Sequence, residues 1–166
     1  MTRRMLALAA LVASSGAWIV VQQRSPTVTA QDFVDIQDLY ARYNWALDSG
    51  DAEGWAATFT PDGVFRIVDQ GEAGNNVGHD AIVKFAKGFS AGLGAHVKHW
   101  NTNLMITPTT QGASGRVYLV LVDFGARPAS IVTSAAYTDE LARTAQGWRF
   151  RSRAVKGDVA PPAKPQ

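Results

Sequence analysis

The sequence contains no cysteine, so disulfides, thiol nucleophiles and thiolate metal sites are ruled out, while the compartment is left open. An excess of one charge is also lacking. Sixteen lysines and arginines face 14 acidic residues, leaving a net +2, and two of the arginines, Arg3 and Arg4, fall in an N-terminal targeting segment. No basic run interleaves with aromatics, which argues against a nucleic-acid partner. Histidine is sparse. His96 and His99 lie three apart, on opposite faces of a strand that has begun by His96, and no third ligand clusters with them, so no metal is expected. His79 stands before a helix, where capping or surface exposure is its ordinary role. Gly71, Gly74 and Gly78 have the wrong spacing for a phosphate-cradling loop, and no dinucleotide fingerprint or Ser-His-Asp signature occurs, so no cofactor is expected.

What is present is enough for one core. Of 166 residues 46% are hydrophobic and 18% charged, the composition of a chain that folds into a single domain. Arg3 and Arg4, the apolar run Met5 to Val21 and small residues up to Ala30 follow the order of a secretory signal peptide. This predicts export, periplasmic or secreted, with cleavage after Ala30 and Ser15-Gly16-Ala17 as the second choice. An uncleaved membrane anchor is the alternative, although Met5 to Val21 falls short of the roughly 20 residues that span a hydrocarbon core. The expected organisation is therefore residues 1–30 as signal, 31–156 as one α+β domain and 157–166, with Pro161, Pro162 and Pro165, as a disordered tail.

Periodicity supplies the elements. Phe33, Ile36, Leu39, Tyr40, Tyr43 and Leu47 recur at helical steps from Asp32 to Asp48. Gly50 suits the C-terminal cap of that helix and Asp51 the start of a second, Ala52 to Phe59. Thr60-Pro61-Asp62-Gly63 reads as a turn into a strand, Val64 to Val68, with a short return at Val77. A third helix spans His79 to Phe89. Four strands follow, about Val97–Thr107, Arg116–Phe124, Ile131–Thr144 and Trp148–Val155, separated by turn residues. Three helices followed by an antiparallel meander predict an α+β roll in the shape of a cone, with the helices packed in the concave face of a curved, mostly antiparallel sheet.

Four stretches carry a resemblance to a known family. They are Ile36 to Tyr43 running into Ala46 to Asp51, Phe59 to Phe65, Gly78 to Ile82, and Tyr137 to Leu141 leading to Gly147-Trp148-Arg149-Phe150. Together they resemble the SnoaL-like branch of the nuclear transport factor 2-like superfamily over about Phe33 to Val155. The spacing of Tyr43 to Asp48, with a histidine on the next long strand, is similar to that of the dehydratases of this superfamily, which use an acidic residue near the end of the first helix with a histidine as acid/base machinery. The resemblance implies a pocket, catalytic roles for Asp48, His99 and Tyr43, and a small apolar organic ligand bearing a carbonyl or hydroxyl group. The chemistry implied is a cofactor-independent dehydratase (lyase) or isomerase; the alternative is a non-catalytic ligand-binding or accessory protein.

The residues themselves give this physical content. Asp48 sits at a helix C-terminus, where the dipole disfavours negative charge, and a carboxylate beside an imidazole fixes its tautomer and stabilises its protonated form. Simple helix-end capping is the competing role for Asp48. Strict alternation from Val97 would put His99, Asn101, Asn103 and Met105 on one face and Lys98, Trp100, Thr102, Leu104 and Ile106 on the other. On that reading Asn101 and Asn103 orient a ligand oxygen, while Trp55 and Phe65 wall the pocket. Tyr40, Tyr43, Trp45, Trp55 and Phe85 are expected in the core. Arg149, Arg151 and Arg153 alternate along the last strand, predicting a solvated or inter-subunit face. Val120, Val122 and Phe124 on the outer sheet suggest a homodimer.

Overall fold

The computed structural model describes residues 26–93 and 96–158. Residues 1–25 of the expected signal segment and most of the proline-bearing tail lie outside the described residues. Helix α1, Ala30–Asp48, starts from a capping box in which the Thr29 side chain accepts from the Asp32 backbone and Asp32 reaches back to Thr29. Val28 packs against the core as well. A cut after Ala30 would therefore remove this cap, worth about 1 kcal/mol, whereas the second site, after Ala17, keeps it.

Helix α1 ends in a Schellman turn: Gly50 N–H donates to Leu47 O at 3.1 Å and Asp51 N–H to Ala46 O at 2.8 Å, with Gly50 at φ 76°. Asp51 then caps the short helix α2, Ala52–Ala56. Strand β1, Phe59–Ile67, takes in the residues expected to form a turn. Thr60 to Gly63 form a bulge in the pairing instead, the register jumping from Phe59 opposite Phe150 to Val64 opposite Ser152; Pro and Gly are tolerated at such a bulge. A 3-10 segment, Val68–Gly74, kinks at Gly71 and leads to β2, Asn75–Val77, and α3, His79–Leu93.

The remaining strands are β3, Val97–Thr109; β4, Gly112–Asp123; β5, Ser130–Thr144; and β6, Gly147–Gly157. They form one sheet in the order β2-β1-β6-β5-β4-β3, antiparallel except where β1 runs parallel to β6. The α+β expectation holds. The helices cover the concave face, where Ile36, Leu39, Tyr43 and Leu47 of α1 and Ile82 and Ala86 of α3 meet Val117, Leu119, Ala135, Tyr137 and Phe150. At 25 cal/mol per Å², each large apolar side chain among these contributes about 1.5–3 kcal/mol by leaving water.

Two bulges overturn the alternation read from the sequence. In β3, Thr102 pairs Tyr118 and Met105 pairs Arg116, so Asn103 and Leu104 together oppose Val117. Asn103 takes φ 60° there, a conformation asparagine tolerates better than most residues. Beyond the bulge the faces exchange: Leu104 and Ile106 pack against the core and Met105 turns outward. In β6, Ser152 pairs Glu140 and Phe150 pairs Leu141, leaving Arg151 as the extra residue. Phe150 and Arg153 consequently both face inward, and Arg153 is fully buried, not part of a solvated arginine face. Trp45 departs from expectation too. It lies off the stripe of Tyr40, Tyr43 and Leu47 and is 75% exposed.

Candidate active site

The Schellman turn ending α1 fixes where the Asp48 carboxylate points, across to the start of β3. His99 meets it with two groups. Its backbone N–H lies 3.2 and 3.1 Å from the two carboxylate oxygens, and its Nδ1 lies 2.5 Å from Oδ1. An ionised carboxylate only accepts, so Nδ1 carries the proton and Nε2 is left to accept one. Lys98 of the same strand reaches the Asp48 backbone carbonyl at 3.4 Å, bringing positive charge to a helix end whose own last turn has no basic residue.

His99 stands in the wall of a cavity of about 260 Å³ between α1, α3 and the sheet. Tyr43, Leu47, Phe65, Leu119, Leu121, Ala135 and Tyr137 form its buried part, and the more exposed Asp69, Phe89, Thr133 and Gly157 lie towards solvent. The Phe89 ring packs on the His99 ring at 5.3 Å between centroids. An apolar cavity of roughly 150 Å³ holds benzene, so this one suits a ligand of one or two rings.

Of the residues singled out from sequence, the structure brings Tyr43, Phe65 and His99 together on this cavity, with Asp48 behind the imidazole. Trp55 stands one layer further back, its ring 5.2 Å from those of Tyr43 and Phe65, so it supports the wall without lining it. Asn101 and Asn103 are not on the cavity. Asn101 accepts from the Asn44 side chain at 2.8 Å, beside α1, and the β3 bulge leaves Asn103 exposed. Asn101 keeps the face of His99, since the register runs unbroken to Thr102, but it sits under α1; the bulge beyond it displaces only Asn103.

Sequence reasoning also missed what lies under Tyr43. Asp139 and Arg153 face each other across β5 and β6, both side chains fully buried, joined through Nε at 2.8 Å and Nη2 at 2.7 Å. The Tyr40 hydroxyl donates to the same carboxylate. The guanidinium carbon lies 4.0 Å from the ring centroid of Phe150, 4.2 Å from Tyr137, 4.3 Å from Tyr43 and 4.6 Å from Tyr40, each a cation–π contact. Gly115 makes room, because a Cβ there would run into the Tyr40 hydroxyl. The only sequence signal was an acid and an arginine on neighbouring inward-facing positions, hidden by the Arg151 bulge.

Burial raises the pKa of Tyr43, Tyr137 and Tyr40 above the usual phenol value; the Asp139 charge adds to this and Arg153 opposes it. Tyr43 is therefore a protonated hydroxyl, with the Tyr137 hydroxyl and the Arg153 guanidinium beside it. A folded pKa above the unfolded one gives stability that is complete below about pH 10 and is lost above it, as the unfolded chain ionises first. Each such tyrosine should steepen the alkaline loss by about 1.4 kcal/mol per pH unit. Urea titrations between pH 8 and 11 should show a shallower slope for Tyr43→Phe than for the parent.

Residues 28–154 match the model of the SnoaL-like domain. The chain belongs to the SnoaL-like family. No curated protein sequence matches the chain, but solved structures do. One from Catenulispora acidiphila, in complex with S-DNPA, is 31% identical, covers 78% of this chain and 96% of its own, and superposes with a TM-score of 0.68. A nuclear transport factor 2-like protein with a cystatin-like fold from Novosphingobium aromaticivorans is 27% identical, with coverages of 80% and 86% and a TM-score of 0.69. A protein of unknown function from Mycobacterium tuberculosis is 28% identical, with coverages of 77% and 72% and a TM-score of 0.69. This SnoaL-like domain thus keeps the family's roll and carries a mostly apolar cavity that opens to solvent at one end. Among its described residues no group of three or more His, Asp or Glu could hold a metal ion.

Proposed function

We propose that the domain is a dehydratase or isomerase for a small, largely apolar carbonyl or hydroxyl compound of one or two rings. The observation that carries this is the His99 imidazole on the cavity wall with its Nδ1 held 2.5 Å from the Asp48 carboxylate behind it. In the elimination, Nε2 takes the proton from the carbon next to the ligand's carbonyl. Electrons move into the carbon–oxygen system, and the departing hydroxyl leaves as water after receiving a proton. The Tyr43 hydroxyl, in the cavity wall, donates to the carbonyl oxygen on which negative charge develops. The relative solved in complex with S-DNPA supports a ligand-binding role for the same fold.

The test is a bicyclic β-hydroxyketone that aromatises on losing water, followed by product absorbance, with thermal shift as the binding readout. Turnover by the parent supports the reading. Stabilisation without turnover across a set of such compounds sinks the catalytic reading in favour of a binding protein.

Export and self-association belong to the same proposal. On the outer sheet face Trp100, Met105, Tyr118 and Phe124 are each about half exposed or more, and the Trp100 and Phe124 rings pack at 5.6 Å. Val122 contributes little, being buried within one chain. A homodimer covering this face predicts that Tyr118→Glu yields monomers by sedimentation; a parent that already sediments as a monomer removes the dimer.

A further inference from the structure

The polar side chains of the cavity fall into two groups. Tyr43, Tyr137 and His99 belong to its buried part, whereas Asp69 and Thr133 stand at the solvent end. Asp69 is exposed, yet its carboxylate is held in place: Oδ2 accepts from Gly157 N–H at 2.9 Å, and Gly157 is itself part of the wall. The 3-10 segment that carries Asp69 folds back tightly at Gly74, where a Cβ would run into the Ile67 carbonyl oxygen. An ionised carboxylate offers about four acceptor positions, and Gly157 takes one of them. Thr133 adds a further acceptor at this end, because its hydroxyl proton goes to the Ser134 carbonyl at 3.3 Å.

We propose that Asp69 selects the ligand: the cavity takes molecules with a hydrogen-bond donor, a hydroxyl or a protonated amine, at the end opposite the reacting carbonyl, and turns away carboxylic acids. The proposal rests on the dehydratase or isomerase reading above and narrows its substrate to a compound polar at both ends. Charge argues in the same direction as hydrogen bonding. Among the described residues no lysine or arginine lines the cavity, so a ligand carboxylate at the mouth would meet the Asp69 charge with nothing to offset it. Lys156, the neighbour of Gly157, alternates to the other face of β6 and is exposed. Deeper in, Asp48 stands behind His99, and the charge of Arg153 is taken up by Asp139. A donor at the mouth pairs with the Asp69 carboxylate instead. Because that end is open to water, the donor gives up little hydration to do so.

The test uses four 1-tetralones that differ only in the group on the ring carbon far from the carbonyl: hydroxymethyl, aminomethyl, methoxymethyl and carboxylate. NMR titrations that follow the His99 ring signals give each dissociation constant and report that the compound is in the cavity. The proteins compared are the parent, Asp69→Asn, which keeps an acceptor for Gly157 N–H, and Asp69→Ala, with thermal unfolding as the check that both variants remain folded. The parent should prefer the amine to the carboxylate, and Asp69→Asn should cut that preference about tenfold, the attraction and the repulsion being lost together. Asp69→Ala should cut the preference for the alcohol over the ether about threefold. Preferences that are equal in all three proteins, with the His99 signals still moved by the compounds, overturn the proposal and leave the acid/base reading standing. Compounds that leave the His99 signals of the parent unmoved overturn both.

Discussion

Asp48→Asn should lower the turnover of any substrate of this site by about 10³- to 10⁴-fold while leaving the circular dichroism spectrum unchanged. The carboxylate does two things at once. It accepts Nδ1–H and so leaves Nε2 free to take a proton, and its charge stabilises the imidazolium that forms. An asparagine is isosteric but neutral, and its amide can present a donor to Nδ1, turning the ring to the unproductive tautomer. Both backbone contacts from His99 also weaken, yet the fold does not depend on them, since α1 is already closed by Gly50 and Asp51. His99→Gln should cost a similar factor, and the double variant little more than either single one, because the two groups act as a unit. Turnover within about tenfold of the parent in both single variants would remove the pair from the chemistry.

Arg153→Met should destabilise the fold by about 3–5 kcal/mol, the largest effect expected of any single substitution considered. Removing the guanidinium leaves the Asp139 carboxylate in the core with the Tyr40 hydroxyl as its remaining side-chain donor. It also removes a cation from contact with four aromatic rings. Arg151→Met, one bulge away and paired with Gln111 at the surface, should stay within about 0.5 kcal/mol of the parent. Adding Asp139→Asn to Arg153→Met should recover part of the loss, because the buried charge disappears with its partner. Urea unfolding measures all four proteins. Equal midpoints for Arg151→Met and Arg153→Met would show that the buried pair contributes nothing.

The two predictions divide along the line between what the sequence revealed and what it concealed. Asp48, His99 and Tyr43 were legible because helical period, a capping turn and family resemblance all act over a few residues. The core stripe of α1 was legible for the same reason. Arg153 was not, since one extra residue in a strand reverses every later side chain and Arg151 carries no mark of being that residue. Asn103 was misplaced by the same physics in β3, where the bulge is visible only through pairing with β4, whereas Asn101 keeps the expected face and is taken up by Asn44 of α1. Trp45 misled for a simpler reason: an aromatic is expected inside, and this one lies off the buried stripe.

The strand order carries a consequence for how the molecule comes to exist. Strand β6 follows the other described strands along the chain, yet it lies between β1 and β5. Asp32, at the beginning of α1, receives the indole N–H of Trp148 from that strand at 3.1 Å. A nascent chain that stops short of Gly147 therefore holds two unjoined fragments, β2-β1 on one side and β5-β4-β3 on the other, each with an open edge. Folding must wait for the final strand to be released. A C-terminal deletion reaching β6 would not shorten the sheet; it would cut it in two.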